Sequence, residues 1–357
     1  MKILIDINHP AHVHYFKNFI KIMGEKGHEI LVVSRNKEIE HYLLKKNNIP
    51  FKNRGEGEKD LKSKLSYFFY AILYIYKQAK LFRPNVIISF GTPYPAIVGW
   101  WLGIPHISFN DTEHAKLHHI LTDPFSKNII TPSSYNKDLG KKQVKFDGYM
   151  ELCYLHPKYY KPNSVIRELL RVSEKDKYVI LRFVSWNAAH DIGQTGLDLD
   201  SKFKLIKELS RYAKVFISSE GTLPNKLKKY QIEIPPEMIH DALAFATLFI
   251  GEGATMASEC AMLGTPAIYI NSLEVGYCTE EEKKYNLIFN YRNSNDVLQK
   301  AIELLSIPDL KQKYQKRRQE MLKDKIDVTA FMVWFVENYP ESVKVMKENP
   351  DYQYNFK

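Results

Sequence analysis

The strongest constraint on the fold is an alternation of short β-branched runs with longer helical stretches, which occurs twice along the 357 residues. Such alternation favours parallel sheets with helices packed on both faces. A break at residues 156–165, which holds Pro157 and Pro162, separates the two series. The sequence therefore predicts two doubly wound α/β domains, 1–160 and 161–330, followed by a helical tail, 331–357.

Strands are predicted where short apolar or β-branched runs lie between turn residues. In the first domain they are 3–7, 29–34, 86–90, 106–109, 128–131 and 144–147, and in the second 178–183, 214–218, 248–250 and 267–270. Helical periodicity predicts, among others, 15–26, 38–47, 61–82, 202–212 and 255–263. Because ligands of open parallel sheets bind beyond the carboxyl ends of the strands, the loops that follow the strands are the places to search for a site.

Composition narrows the class of protein. Apolar residues make up 45% and charged residues 26%, which is typical of a folded globular chain. Three cysteines without a Cys-x-x-Cys pair indicate a reducing compartment and no zinc cage. The first residues meet Asp6 too early for a signal peptide, and no run is long enough to span a membrane. We therefore expect a cytoplasmic protein.

The net charge of +10 is unevenly distributed. Residues 1–160 hold 23 Lys and Arg against 14 Asp and Glu, whereas residues 161–330 hold 25 against 23. A basic first half favours an anionic partner, such as a phosphorylated substrate, an acidic lipid or a nucleic acid. A solvated basic surface without a specific partner is the alternative.

The first strand is followed by a loop with three histidines, His9, His12 and His14. Histidine suits general base catalysis because its ordinary pKa is near neutrality. The alternative is a polar loop whose histidines cap the next helix. A zinc site is disfavoured because no second cluster offers ligands at a fixed spacing.

The strand 106–109 ends in a second polar loop, which contains Asp111 and Glu113. Two carboxylates at a strand end fit acid–base chemistry or the binding of hydroxyl groups. Alternatively, Asp111 is the N-cap of the following helix.

The loops of the second half suit a diphosphate, because small residues expose backbone N–H groups and a helix N-terminus carries partial positive charge. Glu259 lies on the predicted helix among apolar neighbours, where a carboxylate needs a partner, although an ordinary surface position is the alternative. The candidate binding residues of these loops are Arg182, Ser185, Asn187, Gly251, Gly253, Ala254, Thr255, Ser258 and Glu259.

Segment 251–268, with its glycine-rich turn, Ser258-Glu259 and Gly264-Thr265-Pro266, resembles the nucleotide-sugar site of a GT-B glycosyltransferase. The likeness is to the lipid-linked N-acetylglucosaminyltransferase of peptidoglycan synthesis and its relatives. The resemblance implies that Glu259 binds the ribose hydroxyls and that the loop of His240 holds the base through its backbone. It also places His12 on the acceptor side, with Glu113 in a loop where that family often has a glutamate.

The whole chain resembles an uncharacterised prokaryotic GT-B family that is grouped with these transferases and with the non-hydrolysing UDP-N-acetylglucosamine 2-epimerases. Two glycine-rich loops of the transferases are replaced here, one by Asn8-His9-Pro10-Ala11 and the other by a loop that begins at Ser185. The Arg-Pro-Glu turn of the epimerases is absent after the first strand. This absence favours a transferase over an epimerase.

Residues 61–83 form a basic aromatic segment with seven aromatic residues, five Lys or Arg and no acid. Such a helix suits a membrane interface, where aromatic rings lie at headgroup depth and cations contact anionic lipid. The alternative is a helix packed on the first sheet. Trp100 and Trp101 either extend this patch or fill the core. The predicted membrane or acceptor contacts are Tyr67, Phe68, Tyr70, Lys77, Lys80 and Arg83.

Together these features predict an inverting, metal-independent GT-B glycosyltransferase of cell-surface glycan synthesis, with two Rossmann-like domains facing a cleft and the C-terminal helix packing back across. The donor, a UDP-sugar, would bind the second domain. An acceptor such as a lipid-linked sugar would bind the first, with His12 as base and Asp111 or Glu113 assisting. No cofactor beyond the nucleotide sugar and no nucleic acid are expected. The alternatives are a UDP-sugar 2-epimerase and a non-catalytic polyanion- or membrane-binding protein.

Overall fold

The computed structural model describes residues 1–37, 39–56, 61–183, 199–219, 222–294 and 296–357. The chain divides into two units, of which the first comprises Met1–Tyr159 together with Lys325–Lys357 and the second comprises Tyr160–Asp324. The predicted domain boundary at 160 lies one residue from the observed division. The predicted boundary at 330 lies six residues after Asp324, the last residue of the second unit. The predicted tail is part of the first unit.

Unit 1 is built on a seven-stranded parallel sheet with the order β3-β2-β1-β4-β5-β6-β7. The central strands are mostly apolar, as the fully buried Ile3, Leu4 and Ile5 of the first strand show, because helices cover both faces of the sheet. The strands are β1 (Lys2–Ile7), β2 (Glu29–Asn36), β3 (Phe51–Glu56), β4 (Val86–Phe90), β5 (His106–Phe109), β6 (Asn128–Pro132) and β7 (Gln143–Phe146).

Six helices connect or follow these strands: α1 (Pro10–Glu25), α2 (Glu40–Lys46), α3 (Leu61–Phe82), α4 (Pro93–Leu102), α5 (Lys116–Thr122) and α6 (Leu152–Leu155). The first helix begins five residues earlier than its periodicity predicts. His9 caps it by accepting a hydrogen bond from the Ala11 amide at 3.2 Å, and Pro10 occupies its first position.

Unit 2 has a five-stranded parallel sheet with the order β12-β11-β10-β8-β9. Its strands are β8 (Tyr178–Phe183), β9 (Lys214–Ser219), β10 (Leu248–Gly251), β11 (Ala267–Ile270) and β12 (Ile288–Tyr291). Its helices are α7 (Val165–Leu169), α8 (Leu199–Leu209), α9 (Ile239–Phe245), α10 (Ala254–Leu263), α11 (Gly276–Lys283), α12 (Val297–Ser306) and α13 (Leu310–Asp324).

The C-terminal helices α14 (Val328–Glu337) and α15 (Glu341–Glu348) complete unit 1. Asp327 caps α14 by accepting a hydrogen bond from the Ala330 amide at 2.9 Å. The aromatic residues of α14 are covered within this unit, since Phe331 packs on Phe146 at 5.7 Å and Trp334 stacks on Tyr352 at 4.7 Å. The tail therefore contributes to the core of unit 1.

The sequence did not predict β3 and β12, each of which lies at one edge of its sheet. Strand β3 reads Phe-Lys-Asn-Arg-Gly-Glu, which shows no apolar run, and it pairs with β2 on one side only. An edge strand needs less apolar surface than a central one, so its pattern resembles that of a loop. Within the described residues, no helix is long and apolar enough to cross a membrane.

Candidate functional site

Each sheet has a point at which the strand order changes direction, and ligands of open α/β sheets bind beside such points. In unit 1 it lies between β1 and β4, and in unit 2 it lies between β8 and β10. The predicted site residues follow these strands or their neighbours. The carboxyl edge of each sheet is therefore the candidate site of its unit.

In unit 2, Arg182 and Gly251 lie side by side at the ends of β8 and β10. The Arg182 guanidinium donates a hydrogen bond to Ser218 Oγ on β9 at 2.8 Å. The backbone carbonyl of Arg182 accepts a hydrogen bond from the Glu252 amide at 3.0 Å. Ser185 and Asn187, which were predicted in the same site, lie outside the described residues. The structure thus brings Arg182 to the edge at which the glycine-rich turn begins.

The two glycines of this turn meet different surroundings. A Cβ on Gly251 would lie 2.6 Å from the Phe249 ring and 2.9 Å from the Arg182 carbonyl oxygen, so close packing inside the unit requires glycine there. A Cβ on Gly253 would meet no described atom within 4 Å. Gly253 is therefore the glycine that leaves room for a ligand.

This contrast gives a matched pair of variants. Gly251→Ala is expected to lower the free energy of unfolding by about 1–3 kcal/mol, because the methyl group would overlap packed atoms. Gly253→Ala is expected to leave it within about 0.5 kcal/mol of the parent. Chemical denaturation measures both, and equal stability of the two variants would contradict this assignment.

Helix α10 begins immediately after the turn, with Gly253 as its N-cap. Because glycine has no side chain, Gly253 cannot shield the amides of the first turn, and no side chain of the described residues caps them. Ala254 and Thr255 are half-buried at this helix end. An uncapped N-terminus with partial positive charge is suited to bind the phosphates of a nucleotide.

Glu259 lies in the second turn of α10, and its carboxylate is 2.9 Å from His240 Nε2. Glu259 is 5% exposed and His240 is 4% exposed. The expected need of this carboxylate for a partner is thus met by His240, which belongs to α9. The pair joins the two predicted parts of the nucleotide site in space.

The position of α9 is fixed by Asp241, the residue next to His240. Its carboxylate accepts hydrogen bonds from Tyr160 Oη at 2.5 Å and from the Asn163 amide at 2.9 Å. In addition, Tyr178 Oη donates to the Ala242 carbonyl at 2.6 Å. These contacts hold His240 against Glu259.

Ser258 does not face the turn. It is fully buried, and its hydroxyl donates a hydrogen bond to Glu281 Oε1 at 2.6 Å. Its inclusion among the nucleotide-binding residues was therefore wrong, because its position on α10 directs the side chain towards α11. It packs two helices together instead.

In unit 1, the three histidines after β1 have different surroundings. His9 caps α1, and the His14 ring stacks on Tyr154 at 5.1 Å. His12 points to the change of strand order, with its ring centroid 5.0 Å from that of Phe90 at the end of β4. Only His12 therefore occupies the position expected of a group that meets a ligand.

The His12 imidazole is 9% exposed, and its Nδ1 accepts a long hydrogen bond of 3.4 Å from the Asn8 amide. Burial, followed by the charges of His9, Lys37, Arg54 and His118, holds the pKa of His12 well below its usual 6.5. The ring is consequently neutral at pH 7, and the same surroundings make it a weaker base than a free imidazole.

Asp111 and Glu113 follow β5 and are 5% and 7% exposed. Asp111 accepts a hydrogen bond from Thr112 Oγ1 at 3.0 Å, and burial raises the pKa of Asp111 to about 7, to which the charge of Glu113 adds. Glu113 Oε1 accepts a hydrogen bond from the Asn136 amide at 3.3 Å, while its buried Oε2 has no partner among the described residues. The structure thus places two acidic groups together.

The sequence did not identify Arg54 of β3, which is fully buried beneath the first loop. Its Nε is 3.0 Å from Asp6 Oδ1, and its Nη2 donates to Asn8 Oδ1 at 2.8 Å. It also donates to Tyr67 Oη and lies over the Tyr94 ring at 5.1 Å. Arg54 therefore anchors the loop that leads into α1, the helix that carries His12.

The predicted membrane contacts on α3 are divided by the structure. Tyr67 is 7% exposed and its hydroxyl accepts a hydrogen bond from Arg54, so it belongs to the interior. Phe68 packs on Tyr94 at 5.4 Å and stays half-buried. The assignment of Tyr67 was wrong, because its helical position faces the sheet, whereas that of Phe68 stays a prediction. The exposed members of the set are Tyr70, Lys77, Lys80 and Arg83.

Among the described residues, no group of three or more histidine, cysteine, aspartate or glutamate side chains is placed to hold a metal ion. The carboxyl edges instead offer helix amides and a carboxylate–imidazole pair in unit 2, and an imidazole with two acids in unit 1. Two Rossmann-like units with parallel sheets define the fold class, which is that of GT-B α/β proteins.

Within that class the chain belongs to the family described as "Protein of unknown function (DUF354)", whose model matches residues 1–341. It is similar to the "Uncharacterized protein MJ0665" of Methanocaldococcus jannaschii, with 26% identity over 279 residues that cover 75% of this chain and 81% of the relative.

Solved structures with a similar fold include both epimerases and transferases. UDP-GlcNAc 2-epimerase from Neisseria meningitidis bound to UDP-GlcNAc matches with a TM-score of 0.66 and 11% identity, over 88% of this chain and 94% of that one. The spinosyn forosaminyltransferase SpnP matches with a TM-score of 0.63 and 12% identity, over 96% and 99%. The predicted GT-B fold is confirmed by these likenesses.

Proposed function

We propose that this protein is a glycosyltransferase that moves a sugar from a UDP-sugar to an acceptor hydroxyl group. The observation that carries the proposal is the buried Glu259–His240 pair beside the start of α10, at the change of strand order of unit 2. No side chain of the described residues caps this start. A carboxylate that recognises hydroxyl groups and a helix end that recognises phosphate are the two features a nucleoside diphosphate needs.

The donor binds unit 2 in this proposal. The amides at the start of α10 hold the diphosphate and stabilise the negative charge that develops as it leaves. Glu259 accepts hydrogen bonds from the ribose hydroxyls, with His240 fixing its orientation at 2.9 Å. The UDP-GlcNAc bound to the Neisseria meningitidis epimerase supports the choice of a UDP-sugar.

Unit 1 supplies the base. The acceptor oxygen attacks the anomeric carbon, the bond from that carbon to the diphosphate oxygen breaks, and the acceptor proton passes to the imidazole of His12. Direct displacement inverts the anomeric configuration, and the helix dipole stabilises the leaving group without a metal ion. Asp111 and Glu113 orient the acceptor hydroxyl by accepting hydrogen bonds.

A second candidate reaction is 2-epimerisation of a UDP-sugar, which is favoured by the pairing of Asp111 and Glu113 at one strand end. Two acid–base groups allow a proton to be removed from one face of a carbon and returned on the other without reorientation of the intermediate. Incubation with UDP-N-acetylglucosamine alone separates the reactions, because epimerisation needs no acceptor. Formation of the 2-epimer under these conditions would overturn the transferase proposal.

Glu259→Ala is expected to lower the affinity for UDP about 10- to 100-fold, because hydrogen bonds from the ribose to a charged group are lost. Isothermal titration calorimetry with UDP measures the change. Glu303→Ala is the matched control, since Glu303 is an exposed glutamate on α12 of the same unit. Its UDP affinity is expected to equal that of the parent.

A thermal-shift series with UDP-, GDP- and dTDP-sugars tests the nucleotide, because a ligand of the native state raises the melting temperature. Stabilisation by UDP-sugars that disappears in Glu259→Ala supports the donor site. Equal affinity of Glu259→Ala and the parent for UDP contradicts it. Stabilisation by none of the nucleotides would favour the non-catalytic alternative.

A further inference from the structure

Exposed apolar side chains are concentrated on three helices of unit 1. The described part of the chain exposes sixteen large apolar side chains, and the nine most exposed of them lie between residues 65 and 120, each at least 49% exposed. Single exposed apolar residues are common on soluble proteins, but such a concentration marks an interaction surface. We call it the α3–α5 face; it consists of Leu65, Phe69, Tyr70, Leu73, Leu81, Trp100, Trp101, Leu117 and Ile120.

On α3 the exposed residues form a stripe. Leu65, Phe69 and Leu73 recur every four residues, whereas Ala71 and Ile75 are fully buried against the sheet. This helix therefore has one apolar side that the core covers and another that nothing in the described residues covers. The second side explains why its aromatic residues exceed the number that a buried stripe requires.

Helices α4 and α5 extend the face. Trp100 and Trp101 lie in the last turn of α4, with 63% and 51% of their surface exposed. The centroid of the Trp101 ring lies 6.4 Å from that of Tyr76 on α3. On α5, Leu117 and Ile120 are spaced by three residues and are 65% and 67% exposed. The three helices thus present tryptophan and leucine side chains outward together.

The exposed charges of the segment that forms the α3–α5 face have one sign. Residues 61–122 contain only two acids, Asp111 and Glu113, and both are buried. In contrast, the described basic side chains of the same stretch are exposed: Lys77, Lys80, Arg83 and Lys116. A surface that combines exposed tryptophan and leucine with lysine and arginine matches an anionic bilayer, whose headgroups attract the cations while the apolar groups insert.

We propose that the α3–α5 face docks on the surface of an anionic lipid bilayer. The charge argues against a second copy of the chain as the occupant, since two such faces would bring like charges together. The proposal is independent of glycosyl transfer, because the surface lies on unit 1 and uses none of the residues assigned to the UDP-sugar. If both proposals hold, the acceptor is presented at a membrane.

The test is flotation of the full chain with vesicles of phosphatidylcholine alone or with about one third phosphatidylglycerol, without nucleotide. We expect binding to the anionic vesicles only. Lys77→Gln with Lys80→Gln should weaken it about 30-fold, since each cation near such a surface contributes about a fivefold factor. Trp100→Ser with Trp101→Ser should weaken it more than about tenfold, through lost apolar insertion.

The matched controls lie on unit 2. Leu169→Ser with Tyr212→Ser removes apolar side chains that are 45% and 46% exposed, and Lys313→Gln with Lys316→Gln removes two exposed cations of α13. Both controls should bind vesicles like the parent. Absence of binding to anionic vesicles at low salt, or parental binding by the Trp and Lys variants, would overturn the proposal. A dimer in light scattering that the Trp variant disperses would assign the face to a second copy.

Discussion

Arg54→Leu is expected to lower the free energy of unfolding by about 3–5 kcal/mol, because it leaves the Asp6 carboxylate buried without its counter-charge. Asp6 is 0% exposed, and Arg54 provides it with two contacts, at 3.0 and 3.4 Å. Chemical denaturation followed by tryptophan fluorescence measures the loss. Arg211→Leu is the matched control, since Arg211 has a 64% exposed side chain paired with Glu208 and should change stability by less than about 1 kcal/mol.

The loss should depend on pH. Burial raises the pKa of Asp6 to about 6 even with Arg54 beside it, and removing the cation raises that pKa further. A raised pKa in the folded state means that stability linked to the group is present at low pH and falls as the pH rises through that pKa. The deficit of Arg54→Leu should therefore grow between about pH 6 and pH 8. A deficit that shrinks over this range would contradict the assigned role of Arg54.

A double variant separates the ion pair from simple packing. Asp6→Asn combined with Arg54→Leu removes both charges, so it should recover part of the stability that Arg54→Leu loses. Absence of any recovery would mean that the volume of Arg54, and not its charge, stabilises β3. Because Arg54 also holds Asn8 at 2.8 Å, the single variant should also loosen the loop that precedes the helix of His12.

The sequence predicted most of the central strands because their apolar runs are a direct consequence of burial on both faces. It could not predict Arg54, since the pattern of β3 is that of a polar loop and its partner Asp6 lies 48 residues away. A contact between distant residues leaves no periodicity in a single sequence. The same reason applies to Tyr67, whose aromatic neighbours suggested a membrane contact while its hydroxyl binds Arg54.

In the candidate site of unit 2, too, some features could be predicted from the sequence and others could not. The glycine-rich turn and the acid of α10 could be identified from residue types and from resemblance. The sequence predicted His240 and Glu259 separately, but their contact depends on how α9 packs beside α10. Ser258 illustrates the converse, because a hydroxyl adjacent to a site residue on a helix points about 100° away from it. The structure was needed to show that it binds Glu281.

His12→Ala is expected to lower kcat about 10²- to 10⁴-fold while the affinity for UDP stays unchanged, because the base acts only on the acceptor. His14→Ala is the matched control on the same helix, since its ring packs on Tyr154, and kcat should stay within about threefold of the parent. Equal turnover of His12→Ala and His14→Ala would contradict the role of His12.

The pH dependence of kcat distinguishes His12 from Asp111 as the base. A base must be deprotonated, so the rate rises with pH through its pKa and then becomes constant. Burial and neighbouring charges hold the pKa of His12 well below 6.5, whereas burial raises the pKa of Asp111 to about 7. If His12 is the base, kcat is constant above about pH 6.5. A rise centred near pH 7 that Asp111→Asn abolishes would transfer the role to Asp111. His12 Nδ1 accepts a hydrogen bond of 3.4 Å from the Asn8 amide, so the ring proton lies on Nε2. To act as the base through Nε2, the imidazole must carry its proton on Nδ1 instead, and it then loses this long hydrogen bond.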